Sequence, residues 1–130
     1  MDEHDLLPDV LALEPEVIIL RQGDDNWVDI VNWTMTALWF AEQEGITSEN
    51  VDEVRANPPS AEVAKFLGVT PGMGSGLGLL DDWAYDVIRH LGNYAEIFGR
   101  NLGAGSPYKM AREMTALWKD GGVLYPLVID

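Results

Sequence analysis

One stretch limits the fold of this chain more than any other. Residues 26–44, NWVDIVNWTMTALWFAEQE, read as a helix that is apolar nearly all the way round. Asp24 and Asp25 stand before it as N-cap carboxylates. Asp29 adds negative charge near the positive end of the helix dipole, and Gly45 is the stop. Trp27, Ile30, Val31, Thr34, Leu38 and Ala41 form one stripe at helical spacing, whereas Val28, Trp33, Met35, Trp39 and Phe40 fall outside it. Such a helix must be covered on several sides. The remainder of the chain reads as short helices and glycine-rich loops, which offer too little to wrap it. Trp27, Trp33, Trp39 and Phe40 are therefore expected to form an interaction surface that takes its cover from elsewhere.

The other elements follow from punctuation. Residues 1–16 form an acidic arm interrupted by Pro8 and Pro15. Val17-Ile18-Ile19-Leu20 is a short, mostly β-branched run closed by Arg21-Gln22-Gly23, the pattern of a strand and its turn. Ser48 is placed to cap a short helix through Ala56, which Asn57-Pro58-Pro59 ends. Ser60 is placed to cap a second, Ala61 to Leu67, closed by Gly68. Residues 69–80, VTPGMGSGLGLL, read as a loop. A helix is expected from Trp83 to Leu91, capped by Asp81 or Asp82 and ended by Gly92, with one or two further turns from Asn93 to Phe98. Ser106-Pro107 is a helix-start pair, predicting a last helix to Lys119 that stops at Gly121-Gly122. The tail, VLYPLVID, is extended, and Pro126 confines it to an edge or a coil. The fold expected is mostly α, with several short-to-medium helices, one strand at 17–20 and a single incomplete domain over 17–130.

Composition narrows the function. The 130 residues include 22 acidic and 8 basic side chains, a formal net charge of −14. The first 60 residues alone carry a net −12. Such a surface repels phosphate, which argues against nucleic acid and anionic membrane as partners. With no Cys, there is no disulfide, thiolate metal site or thiol nucleophile. The most apolar run, Trp27 to Ala41, is too short and, with Asp29 and Asn32, too polar to cross about 30 Å of hydrocarbon. MDEHDLLPDV lacks the basic and apolar regions of a signal peptide, which predicts a cytoplasmic protein if Met1 is the true start.

Candidate chemistry is sparse. Glycines 72, 74, 76 and 78 alternate as in a phosphate loop. However, no strand precedes them, and no basic residue lies between Lys65 and Arg89, so a tightly packed surface loop fits better. Asp82, Asp86 and His90 share one helical face at i, i+4 and i+8, a spacing open to a divalent metal. No second ligand-bearing helix is placed to complete a shell, so capping and surface roles fit them better. His4 and His90 sit in no nucleophile motif, and the paired aspartates fall where caps are wanted. Neither catalytic residues nor a cofactor are expected.

Four strings carry a resemblance. They are VIILRQGDDNWVDIVNWTMTAL (Val17 to Leu38), AEQEGITSENVDE (Ala41 to Glu53), GLGLLDDWAYDVIRHLGNYAEIFGRNLG (Gly76 to Gly103) and SPYKMAREMTALWKDGGVLYP (Ser106 to Pro126). Together they resemble the C-terminal portion of the general L-amino-acid solute-binding proteins of bacterial ABC transporters, within the type II periplasmic binding family. The most specific parts are RQGD-x-x-W, DWAY, GNY-x-E-I-F and ALW-x-x-GG. The resemblance implies an α/β lobe, a periplasmic location, an amino-acid ligand and a permease partner. It makes Val17, Ile18, Ile19, Leu20 and Arg21 the hinge crossing, after which the chain packs on a sheet encoded upstream. The family's carboxylate-clamping Arg and amine-binding Asp have no match here, so the ligand-binding residues are unknown and the cleft is expected to be incomplete. The apolar helix then predicts association, either with a second copy or with a complementary N-terminal fragment.

Overall fold

The computed structural model describes residues 11, 12, 14 and 16–129. Most of the acidic arm, His4 included, lies outside those residues.

Helix α1 spans Asp25–Gln43. The Asp24 carboxylate accepts from the Trp27 N–H at 3.1 Å, so the cap falls where the aspartate pair places it. Gly45 follows with φ +67°, a left-handed value that ends the helix at little cost only for glycine. Helix α2 spans Val51–Ala56 and α3 spans Ala61–Phe66. The Ser60 hydroxyl accepts from the Val63 N–H, as its position predicts. Ser48 does not cap α2. Asn50 precedes that helix, and the Ser48 hydroxyl donates instead to Glu96 at 2.6 Å. The helix begins two residues later than expected, and Ser48 makes a long-range tie instead.

The glycine-rich loop contains a 3₁₀ turn, Ser75–Leu77, and leads into α4, Trp83–Leu91. Helix α5, Tyr94–Asn101, begins on a capping box. The Asn93 side chain accepts from the Glu96 N–H, and the Glu96 carboxylate accepts from the Asn93 N–H. This helix runs a turn beyond the expected end at Phe98.

The last helix expected, from Ser106 to Lys119, does not form. The segment holds only two 3₁₀ turns, Glu113–Thr115 and Trp118–Asp120. Lys109 and Glu113 take φ of +53° and +43°, which no right-handed helix allows. The physical reason is burial. Tyr108, Met110, Met114 and Trp118 all face outward and Leu117 alone is fully covered, so no apolar stripe is available to hold a helix that is marginal by itself.

The core lies between α1, α4 and α5, with α2 against α4. Phe66, Leu67, Ile46, Val51, Val63, Ile88 and Ala84 are fully enclosed. Phe40 meets Phe66 with ring centroids 4.7 Å apart. From Leu117 the chain turns back on itself. The Trp118 N–H donates to the Leu124 carbonyl, and Gly122 approaches Ala116 so closely that a Cβ would lie 1.9 Å from its oxygen. The tail then runs on to Ile129, which is buried in the core cluster. The one β-pairing among the described residues is a parallel bridge, Leu117 to Leu124. Among the described residues, Val17–Leu20 forms no ladder, because none of them provides a strand for it to pair with.

Candidate functional site

The residues expected to form an interaction surface separate into two kinds. Phe40 is 2 % exposed, enclosed from within by Phe66 and its neighbours, and departs from the expectation. Trp27 is half exposed, at 49 %, while Trp33 and Trp39 are half-buried. Helix α1 therefore buries Thr36, Ala37, Leu38, Phe40 and Ala41 and leaves the side that carries Met35 and Trp39 partly open, whereas Trp27 and Trp33, at six-residue spacing, point in other directions.

A groove of about 520 Å³ lies along that open side. Met35, Thr36 and Trp39 of α1 form its floor, with Ile18 on one rim and Leu124 and Leu127 on the other. Val17–Leu20 and Tyr125–Ile129, on the two rims, belong to no helix or ladder. Among the described residues, no backbone N–H of Val17–Leu20 or of Tyr125–Ile129 donates to another backbone group. Both rims also expose large apolar side chains, including Ile19 at 88 % and Val128 at 75 %. The Trp39 ring meets Tyr94 edge-on at 6.4 Å, and its Nε1–H is buried without an acceptor among the described residues. An orphaned buried donor of this kind costs about 1–3 kcal/mol. Nothing in the sequence distinguishes Trp39 from Trp33 in this respect, because the difference depends on the neighbours each meets in space.

Elsewhere the candidate chemistry resolves into structural roles. Asp81 does not cap α4. Its carboxylate accepts from the N–H groups of Gly74 and Gly72 at 2.9 and 3.0 Å. Those bonds, Gly74 first, hold its pKa below the ordinary carboxylate value. The alternating glycines are thus a packed loop fastened by one aspartate, and a Cβ on Gly74 would lie 2.4 Å from the Leu79 and Leu80 carbonyl oxygens. Asp82 precedes α4 but pairs with Arg55 at 3.3 Å, and His90 Nδ1 lies 2.7 Å from the Asp86 carbonyl oxygen. Among the described residues, no group of three or more His, Asp or Glu side chains is placed to hold a metal ion. None of the helices is long and apolar enough to cross a membrane among those residues.

The glutamate of the α5 capping box is a hub. Besides the Asn93 N–H, Glu96 accepts from the Ser48 N–H and hydroxyl, and Asn93 Nδ2 donates to the Ile46 carbonyl at 2.8 Å. Two polar side chains thereby fasten the loop after α1 to the start of α5. Arg112 makes the corresponding tie from the final segment. It pairs with Glu42 at 3.0 Å and lies over the Tyr94 and Phe98 rings.

No protein-family model matches the chain. Individual proteins do. The general L-amino acid-binding periplasmic protein AapJ of Rhizobium johnstonii is 51 % identical over 126 residues, covering 95 % of this chain and 37 % of its own length. The putative amino-acid ABC transporter-binding protein YhdW of Escherichia coli K12 is 46 % identical over 120 residues, 35 % of its length. The glutamate/glutamine/aspartate/asparagine-binding protein BztA of Rhodobacter capsulatus is 41 % identical over 36 % of its length. A solved ABC transporter periplasmic binding protein from Brucella ovis, with glutathione bound, superposes with a TM-score of 0.81 at 42 % identity, over 85 % of this chain and 35 % of that one. The chain spans little more than a third of the curated relatives it matches. In sequence and in backbone, the chain is similar to periplasmic amino-acid-binding proteins of ABC transporters over about a third of their length.

Proposed function

We propose that this chain supplies the C-terminal lobe segment of an amino-acid-binding component of an ABC importer, a periplasmic carrier that passes its ligand to a permease. The observation that carries this reading is identity of 41–51 % sustained over more than nine-tenths of the chain, against relatives whose names state amino-acid binding or transport. Those relatives are transport-binding proteins, which speaks for a non-enzyme at the level of the family. In this reading the segment is a helical buttress, and the amino-acid site is completed by parts of the fold beyond these residues. The hinge role of Val17, Ile18, Ile19, Leu20 and Arg21 belongs to the same proposal. It is supported by the position of Val17 and Ile18 beside the open side of α1.

Calorimetry tests the reading in two steps. The 130-residue chain alone is expected to give no binding heat with any of the common L-amino acids, and micromolar affinity for one of them would overturn the incomplete-site argument. A chimera carrying the upstream two thirds of the Rhizobium relative joined to this chain is expected to bind amino acids. A folded chimera that binds none would count against the lobe-segment reading.

The open groove favours a second reading, in which the chain is an interaction module that pairs with a second copy or with a complementary N-terminal fragment. Sedimentation separates the two, since a stable homodimer at micromolar concentration supports self-pairing.

A further inference from the structure

We propose that a pocket at the C-terminal end of α1, walled by Trp118, Tyr125 and Glu62, binds a small organic ammonium ion of the methyl-substituted, weakly hydrated kind that carries no carboxylate. The site is separate from the amino-acid cleft, which the lobe-segment reading places beyond these residues. Three observations carry the proposal.

The first is how the pocket is built. Its volume is about 330 Å³, within the roughly 300–1,000 Å³ of small-molecule sites. Trp118 and Tyr125 are the residues that follow the bridged pair, Leu117 and Leu124, and both line it. The Trp118 N–H donates to the Leu124 carbonyl at 2.8 Å and the Gly122 N–H to the Leu117 carbonyl at 3.0 Å, so the backbone of Trp118 is fixed against the residue before Tyr125. The indole Nε1–H donates to Gln43 Oε1 at 3.3 Å, which fastens the ring to the last turn of α1. Phe40 closes the pocket from below.

The second is exposure. Trp118 and Tyr125 are 60 % and 61 % exposed, although large rings gain most from burial. Two such rings at the mouth of one pocket offer π faces to a ligand, and a π face attracts a cation.

The third selects the charge. Glu62, in the first turn of α3, is the charged side chain among the lining residues, and it makes no ion pair among the described residues. Lys119, next to Trp118, does not neutralise it, because its ammonium donates to the Gln43 carbonyl at 2.9 Å. The net charge of −14 adds a field that favours a cation. A methylated ammonium gives up its water for aromatic faces more readily than a primary one does. Free amino acids carry a carboxylate that Glu62 repels, so the ligands named for the relatives fit this pocket poorly.

The test titrates the full 130-residue chain with tetramethylammonium chloride at constant ionic strength. Nuclear magnetic resonance follows the Trp118 indole N–H and the Gln43 and Tyr125 amides. A saturable shift with a Kd in the millimolar range is expected, the strength of a few cation–π contacts at a partly open site. Tert-butanol, neutral and of similar shape, should bind at least tenfold more weakly. Trp118→Ala and Tyr125→Ala, at exposed positions, should each weaken binding about threefold to tenfold. Glu62→Gln should weaken it about twofold to fivefold, by an amount that shrinks as salt is added. Tyr108→Ala, exposed and outside the pocket, should leave it unchanged. No saturable shift, equal binding of tert-butanol, or indifference to any of the three pocket variants would overturn the proposal.

Discussion

Asn93 offers a quantitative test of how the helices are fastened together. It is 4 % exposed and makes two bonds with different roles. Its Oδ1 accepts from the Glu96 N–H at 3.0 Å, capping α5, and its Nδ2 donates to the Ile46 carbonyl at 2.8 Å, tying α5 to the loop after α1. Removing an N-cap side chain costs about 1 kcal/mol. Leaving a buried carbonyl without its donor costs about 1–3 kcal/mol. Asn93→Ala should therefore destabilise the chain by about 2–4 kcal/mol, a large fraction of the roughly 5–15 kcal/mol available to a small domain. Asn93→Ser separates the contributions, since serine can cap but cannot reach Ile46, and should cost about 1–3 kcal/mol. Asn93→Asp keeps the cap acceptor but turns a carboxylate oxygen toward the Ile46 carbonyl, and should cost at least as much as serine. Urea unfolding followed by far-ultraviolet circular dichroism gives all three values. A cost below about 0.5 kcal/mol for Asn93→Ala would refute the reasoning, because surface-like behaviour of that size is incompatible with one buried and one part-buried bond.

Other outcomes follow from single contacts. Phe66→Ala removes a fully buried ring packed at a tilt against Phe40 and should cost about 3–5 kcal/mol by denaturant unfolding, less if the cavity collapses. The Asp81 carboxyl is held below its ordinary pKa in the folded chain, so its contribution is fully present above the unfolded carboxylate value and is lost as pH falls through the folded one. The stability difference between parent and Asp81→Asn should accordingly shrink as the pH is lowered through that acid range, and a difference that does not change with pH would contradict the assignment. Gly122→Ala sets a Cβ 1.9 Å from the Ala116 oxygen and must displace the 116–124 turn, whereas Gly99→Ala enters open space within α5 and should stabilise by about 0.5–1 kcal/mol. Thermal unfolding of the pair should show opposite signs.

What the sequence declares about this fold is mostly its punctuation. Asp24 and Ser60 cap the helices they precede, and Gly45, Gly68 and Gly92 end theirs, because each acts through neighbours within four residues. The all-round apolar character of α1 likewise follows from spacing alone, and the groove lies beside one of its tryptophans, Trp39. Failures occur where a distant partner decides. Ser48 lies two residues before the N-cap of α2, which is Asn50, and its hydroxyl donates to Glu96, far along the chain. Asp81 looks like a cap but folds back on the glycine loop. Ser106-Pro107 begins a turn that nothing extends, since local start signals cannot supply the apolar partner surface a helix needs. Phe40 and Trp39 are adjacent and equally apolar, and only the arrival of Phe66 on one side of α1 makes the first core and leaves the second beside the groove. The strand expected at Val17–Leu20 is the same lesson in reverse, since a β-branched run has the propensity but needs a neighbour to pair with.

Helix α1 is covered by its own chain around Thr36–Ala41, while the groove beside Met35 and Trp39 stays open. Residue-resolved amide hydrogen exchange on the lone chain, at a concentration where sedimentation shows a monomer, tests it most directly. Strong protection is expected through Thr36–Ala41 of α1 and through α4, with exchange near the unstructured rate at Val17–Leu20 and Tyr125–Val128. Protection of those two rims at the level of α1 in the monomer would contradict the claim, because it would mean that the chain closes its own groove.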